Sequence, residues 1–291
     1  MGKKVALINL FKGHTEVFGY LIEIYKKNNY EITYFYKDNS IVDSYGYINY
    51  FETLYGIIEK KQITELENIY KQFNIIIFIT MTVDIPGYIC NHSNVYGIIH
   101  NSSRKSPYIN NYITLYPNLM NNFLKIMKNK LFTYAYPFYN TPLTINKEYK
   151  YILYIGNPLD NDEDILNFKN NIKYELIFFN NKNKNLVNKD MNTLVKYLEK
   201  TIFILGKKTY YYEDSYSGSV TISYSFNIPM ILQQNKLNEY EIHGIGFENN
   251  YSELIDYVNN VDFNEYNNLL TKMNNFKKQE IIKNENFLLN I

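Results

Sequence analysis

Few residues in this chain can carry chemistry. Among 291 residues there are four histidines, one cysteine (Cys90) and one arginine (Arg104). Two of the histidines follow short apolar runs. Val5–Leu10 leads into Phe11-Lys12-Gly13-His14-Thr15-Glu16, a Gly-His pair at the mouth of a segment with helical period. In open parallel sheets ligands bind beyond the carboxyl ends of strands. Gly13 and His14, entering a helix, can therefore put an imidazole at a cleft with backbone N–H groups nearby. Val95–His100 ends in a histidine, which precedes Arg104. A histidine at a strand end can donate or accept a proton near neutral pH, and a guanidinium offers a planar fork to phosphate or carboxylate. His100 is the first catalytic candidate, and Arg104 a candidate for acceptor or phosphate.

A second constellation runs from Glu213 to Ile231. Asp214 stands in an acidic loop, Ser217-Gly218-Ser219 opens a helix, and an apolar strand begins after Pro229. Small residues at a helix start let a phosphate approach the unpaired N–H groups there. Asp160-Asn161-Asp162-Glu163-Asp164 invites a metal reading. An EF-hand loop would need glycine at the sixth place and glutamate at the twelfth, where Ile165 and Asn171 stand. The acidic run reads instead as a first helical turn favoured by the helix dipole.

Composition bounds the rest. Thirty basic against 29 acidic residues give a net charge of +1, which is no footprint for nucleic acid. One cysteine excludes an intrachain disulfide and a cysteine-based zinc site within one chain. The 32 tyrosines, with only two alanines (Ala6, Ala135), fit an AT-rich coding sequence better than a carbohydrate-binding bias. No apolar run reaches the length of a membrane span, and the expected location is cytoplasmic. Phe123-Leu124-Lys125-Ile126-Met127-Lys128 mixes apolar and basic residues as a membrane-surface helix would. An ordinary helix packed on a sheet is the favoured reading there.

These residues need a frame to hold them. Val5–Leu10, Glu31–Tyr36, Ile75–Thr80, Val95–His100, Tyr112–Tyr116 and Phe132–Tyr136 read as strands, several apolar throughout, as suits a parallel sheet covered on both faces. Thr15–Asn28 and Ile63–Phe73 read as helices between them. Asn140–Lys150 reads as a linker. The pattern then restarts with strands at Tyr151–Ile155, Leu176–Phe179, Ile202–Leu205 and Met230–Leu232. Helices are expected at Asp162–Asn170, Asn192–Lys200, Gly218–Phe226, Ser252–Val258 and Tyr266–Asn275. The alternation predicts two doubly wound α/β domains.

This layout resembles the GT-B glycosyltransferases, nearest to the family 4 type. Tyr151–Gly156 is similar to the strand and glycine that open their donor domain. Ile202–Gly206 through Ile231 resembles the segment that holds the nucleotide sugar. Ile98-Ile99-His100 resembles the strand-end histidine of their active-site cleft. The resemblance implies an α/β fold of two Rossmann-like domains with parallel sheets facing across a cleft. An acceptor domain would span 1–145, a nucleotide-sugar donor domain 146–275, and a helix returning to the first domain 276–291. It implies a metal-independent hexosyltransferase with no cofactor, its donor a nucleotide sugar and its acceptor a glycan, lipid or protein. His100, His14, Glu16 and Asp214 would line the reacting side. Gly13, Gly156, Asn157, Lys207, Lys208, Ser217, Gly218 and Ser219 would hold the donor. Two departures stand out. Asp214 fills the first of two expected carboxylate places but Ile222 fills the second. Asn157 and Asp160 stand where a basic pair is usual, leaving Lys207 and Lys208 to substitute. A binding protein without catalysis, or a sugar-nucleotide epimerase of the same plan, are the alternatives.

Overall fold

The computed structural model describes residues 2–11, 14–37, 45–79, 85–89, 94–100, 108–142, 148–155, 163–179, 190–207 and 216–291. They form two compact units. The first comprises Met1–Asn140, Tyr211–Gly218 and Glu280–Ile291, and the second Thr141–Tyr210 and Ser219–Gln279.

The first unit alternates strand and helix in the order β1 (Lys4–Asn9), α1 (Phe18–Lys27), β2 (Glu31–Tyr36), α2 (Tyr47–Tyr55), β3 (Glu59–Gln62), α3 (Ile63–Ile69), β4 (Ile75–Phe78), β5 (Val95–Ile99), β6 (Asn111–Thr114), α4 (Pro117–Ile126) and β7 (Leu131–Tyr134). A 3-10 turn at Thr15–Val17 leads into α1. All seven strands are parallel, in the spatial order β3-β2-β1-β4-β5-β6-β7. The apolar runs explain the centre. Val5–Ile8 and Ile75–Phe78 are buried throughout, as strands covered on both faces must be. α1 lies so close that a side chain at Gly19 would meet the Tyr139 ring. Glu23, also on α1, is buried, and its carboxylate accepts hydrogen bonds from the Asn140 backbone (2.7 Å) and side-chain amide (2.6 Å).

The order of the strands fixes where a ligand belongs. From β1 the chain moves outward through β2 to β3. It then returns to the other side of β1 and runs β4 to β7 in the opposite direction. The crevice at the carboxyl ends of β1 and β4 is the topological switch point, where no crossover covers the strand ends.

The second unit contains β8 (Tyr151–Ile155), α5 (Glu163–Asn171), β9 (Glu175–Phe179), α6 (Met191–Leu198), β10 (Thr201–Leu205), α7 (Gly218–Phe226), β11 (Met230–Gln233), α8 (Gln234–Tyr240), β12 (Ile245–Phe247), α9 (Ile255–Asn259) and the start of α10 (Phe263–Leu288). Its parallel sheet runs β12-β11-β10-β8-β9, with its own switch point between β8 and β10. Gly218 groups with the first unit, and every residue of α7 after it is buried.

Several expectations change in detail. The two late helices expected around Asn275 are one continuous 26-residue helix, α10. Its last turns belong to the first unit, where Asn284 donates to the Tyr136 carbonyl (2.7 Å) and Asn28 to the Glu285 carboxylate (2.9 Å). The helix expected at Ser252–Val258 is a 3-10 turn, Tyr251–Leu254, followed by α9. Asp164 does lie in the first turn of α5, but its carboxylate is spent on another element. It accepts from the Tyr251 N–H (2.8 Å) and the Ser252 hydroxyl (2.9 Å), tying that turn to α5. Among the described residues no helix is long and apolar enough to cross a membrane.

Candidate functional site at the switch point of the first sheet

Three side chains meet at the carboxyl ends of β1, β4 and β5. His14 follows β1 and adopts a left-handed backbone conformation (φ 65°, ψ 20°). Such a conformation is uncommon for a residue with a side chain, and histidine is among those that tolerate it. Strain of this kind is kept where surrounding structure holds it, often at a site of function. The His14 carbonyl accepts from the Val17 N–H (3.1 Å), starting the 3-10 turn that carries Glu16. The result places His14 Nδ1 3.6 Å from Glu16 Oε1. That is longer than a hydrogen bond and within reach of an ion pair when the ring is protonated. Between them in sequence, Thr15 Oγ1 is buried with no hydrogen-bond partner among the described residues.

His100 lies beneath. Its ring centroid is 3.9 Å from that of His14, with the planes tilted by 35°. The residue is 4% exposed, and its Nε2 lies 2.7 Å from the Ile79 carbonyl just past β4. A carbonyl only accepts, so Nε2 carries the hydrogen and Nδ1 keeps its lone pair. Burial pushes the His100 pKa well below the usual histidine value, and the neighbouring His14 adds to the effect. His14, by contrast, keeps 36% of its side chain exposed. The open ring of the pair is thus the one that faces Glu16. The sequence reading put the proton-exchanging role first on His100. The geometry makes His100 a neutral base plate and gives the open position to His14.

Holding His100 neutral has a stability consequence. The unfolded chain binds a proton on this histidine below about pH 6.5, whereas the folded state does not. The unfolded state therefore holds more protons there, and stability rises with pH across that window. The expected result is a loss of stability on acidification that begins near pH 6.5, visible in urea midpoints. His100→Gln should flatten the slope between about pH 6.5 and 5. An identical slope in the variant would show that other groups cause it.

A segment distant in sequence completes the site. The Tyr216 N–H donates to the His100 carbonyl (3.0 Å), and the Tyr216 ring stacks on Tyr116 at 6.1 Å between centroids. Gly218, two residues on, faces Glu16. A Cβ at Gly218 would lie 2.4 Å from Glu16 Oε1 and 2.9 Å from its Cδ. The space expected to admit a phosphate is thus held by a carboxylate of the same unit. Burial, with the Glu16 charge added, raises the pKa of Tyr47 well above the usual tyrosine value. Burial leads in Tyr139 too, where Glu16 is a smaller contribution behind neighbouring tyrosines.

The remaining candidates divide as follows. Gly13, Arg104, Gly156, Asn157, Lys208 and Asp214 lie outside the described residues. Ser217 groups with the first unit beside Gly218. Ser219 is buried in the second unit. Lys207 follows β10 at the second switch point, and partial burial lowers its pKa. Ile222 is a core residue of α7. Sequence reasoning did not single out Tyr216 or Thr15. Tyr216 is one of 32 tyrosines, and only the fold shows that its backbone docks on the His100 carbonyl.

No protein-family model and no curated protein matches the chain. Solved structures do. The chain is similar to the glycotransferase of kitacinnamycin, with 10% identity, 99% of each chain covered and a TM-score of 0.59. It is similar to Anabaena HepE in complex with UDP and glucose, with 8% identity over 99% of this chain and 98% of that one, TM-score 0.60. It is also similar to the UDP-GlcNAc 2-epimerase from Neisseria meningitidis bound to UDP-GlcNAc. There the identity is 12% over 97% of this chain and all of that one, TM-score 0.60. At such identities the likeness carries the fold. The two parallel-sheet α/β domains, of seven and five strands, match GT-B glycosyltransferase structures.

Proposed function

We propose that this chain transfers a sugar from a nucleotide-sugar donor to an acceptor hydroxyl. The observation that carries the reading is the His14–Glu16 pair at a switch point, backed by a buried neutral histidine. With Nδ1 turned toward Glu16, Nε2 of His14 is the nitrogen left to take a proton. His14 accepts the acceptor's hydroxyl proton as its oxygen bonds to the anomeric carbon. The bond from that carbon to the diphosphate breaks, and the nucleoside diphosphate leaves with the electron pair. Glu16 stabilises the imidazolium so formed, as an orienting carboxylate does beside a catalytic histidine. The proton passes from His14 to solvent or to the departing phosphate.

The donor is assigned to the second unit, with Lys207 and Lys208 offsetting the diphosphate charge and Ser219 in the same unit, while Ser217 and Gly218 stay with the first unit and Gly218 faces Glu16. Gly13, Gly156 and Asn157 complete the donor assignment, Asp214 joins the reacting side, and Arg104 is assigned to the acceptor or to phosphate. On this reading the reaction needs no metal and no cofactor, the sugar is a hexose, and the protein works in the cytoplasm. The order of motifs from Ile202 to Ile231 supports the family 4 type. Ile222 in place of the second carboxylate favours a second reading, a GT-B-like protein that binds nucleotide sugars without turning them over. The likeness to the epimerase supports a third.

A thermal-shift series with UDP, GDP and their sugars, followed by product analysis, tests all three. A shift with one nucleotide, then release of that nucleoside diphosphate in the presence of an acceptor, is the expected result. A shift without turnover supports the binding protein, and a changed sugar still attached to nucleotide supports the epimerase. No shift with any nucleotide would remove the donor assignment.

A further inference from the structure

The small net charge hides an uneven distribution. From Ile85 to Lys147 there is no aspartate or glutamate, while Arg104, Lys105, Lys125, Lys128, Lys130 and Lys147 fall in that stretch. The same stretch holds four of the nine large hydrophobic side chains exposed among the described residues. These are Tyr108 (58%), Leu124 (41%), Ile126 (64%) and Leu131 (72%).

The fold places them on adjoining elements. α4 buries Leu119 and Phe123 against its unit, as a helix packed on a sheet does, and turns Leu124 and Ile126 outward. A tight turn follows, with the Met127 N–H donating to the Phe123 carbonyl (2.9 Å) and the Lys130 N–H to the Met127 carbonyl (3.2 Å). That turn joins the end of α4, which carries Ile126, to Leu131, the first residue of the edge strand β7. The Leu131 N–H donates to the Asn110 carbonyl (2.9 Å), and Lys130 Nζ donates to Asn110 Oδ1 (2.8 Å). The segment entering β6, with Tyr108, is thereby drawn alongside. Lys125 and Lys128 are exposed in the same patch. The patch lies at the amino ends of β6 and β7, whereas His14 and His100 follow the carboxyl ends of β1 and β5.

Single exposed apolar residues are ordinary, but a cluster of them marks a contact surface. Lysine is depleted in the cores of protein–protein interfaces, so the chemistry here is unlike that of a protein partner. It fits a bilayer, where aliphatic side chains enter the headgroup boundary, tyrosine sits at the headgroups and lysines meet anionic lipid. We propose that this edge of the first unit docks on an anionic membrane surface.

Flotation of the full chain with vesicles tests this without reference to glycosyl transfer. The chain should float with phosphatidylcholine vesicles that contain phosphatidylglycerol, stay behind with phosphatidylcholine alone, and be released by salt. Lys125→Gln/Lys128→Gln should lower the partition coefficient roughly tenfold or more. Ile126→Ser/Leu131→Ser should lower it too, with circular dichroism unchanged because both side chains are exposed. Absence of flotation, equal flotation on neutral vesicles, or flotation untouched by both double variants would overturn the proposal. A concentration-dependent dimer that the Ile126/Leu131 variant abolishes, without flotation, would overturn it too and give the patch to a second copy of the chain.

Discussion

Replacing His14 with alanine is expected to cut turnover by about 10²–10⁴-fold, the scale of a positioned general base. Nucleotide affinity should be unchanged, because the proposed donor site rests on the second unit. Three observations single out His14 over the other described histidines. It follows β1 at the switch point, it retains exposed ring surface, and it faces a carboxylate at 3.6 Å. His243 has an aromatic neighbour instead, Phe276. Glu16→Gln should give a smaller loss than His14→Ala, since the amide keeps the shape and loses the charge that stabilises the imidazolium. The Glu16→Gln loss should fall on kcat with KM unchanged, since the lost charge acts on the transition state. A purely structural role for Glu16 would lower the urea midpoint as well. Full activity in His14→Ala, measured as released nucleoside diphosphate, would move the base elsewhere.

The central strands were legible because they are continuous apolar runs, and such runs have one good destination, a covered parallel sheet. Val5–Ile8 and Ile75–Phe78 needed no tertiary information. β3 escaped notice because Glu59-Lys60-Lys61-Gln62 is polar on both faces. An edge strand can be so, and its charges guard the open edge. β12 is three residues long and offers no period. His14, Glu16 and His100 were legible as strand-end residues, but their ranking was not. Burial decides which histidine is open, and burial comes from Ile79 and His14 packing around His100. The partnership of Glu16 with Gly218 joins residues some two hundred positions apart, and local spacing carries no trace of it.

That partnership makes Gly218→Ala the sharper test of the site. The sequence suggested that Gly218 keeps room for a phosphate, so that a side chain would weaken nucleotide binding. In the structure the room is filled by the Glu16 carboxylate, at 2.4 Å from the place a Cβ would take. Only the far end of a flexible side chain has to yield, so the fold should tolerate alanine with little change in its urea midpoint. Glu16 itself cannot stay where it is. Displaced by about an ångström, it no longer faces His14 as it did, and misplacement on that scale can cost about 10²-fold in rate. The expected result is therefore a stable protein that has lost most of its turnover. Glu16→Ala should lose turnover on its own, for the same reason. If Gly218 acts through Glu16, the double variant Glu16→Ala/Gly218→Ala should be no worse than Glu16→Ala, since the second change has nothing left to displace. Multiplying losses would show instead that Gly218 serves the donor directly, as the sequence alone had suggested. Unimpaired turnover in Gly218→Ala would show that the observed placement of Glu16 is not the working one.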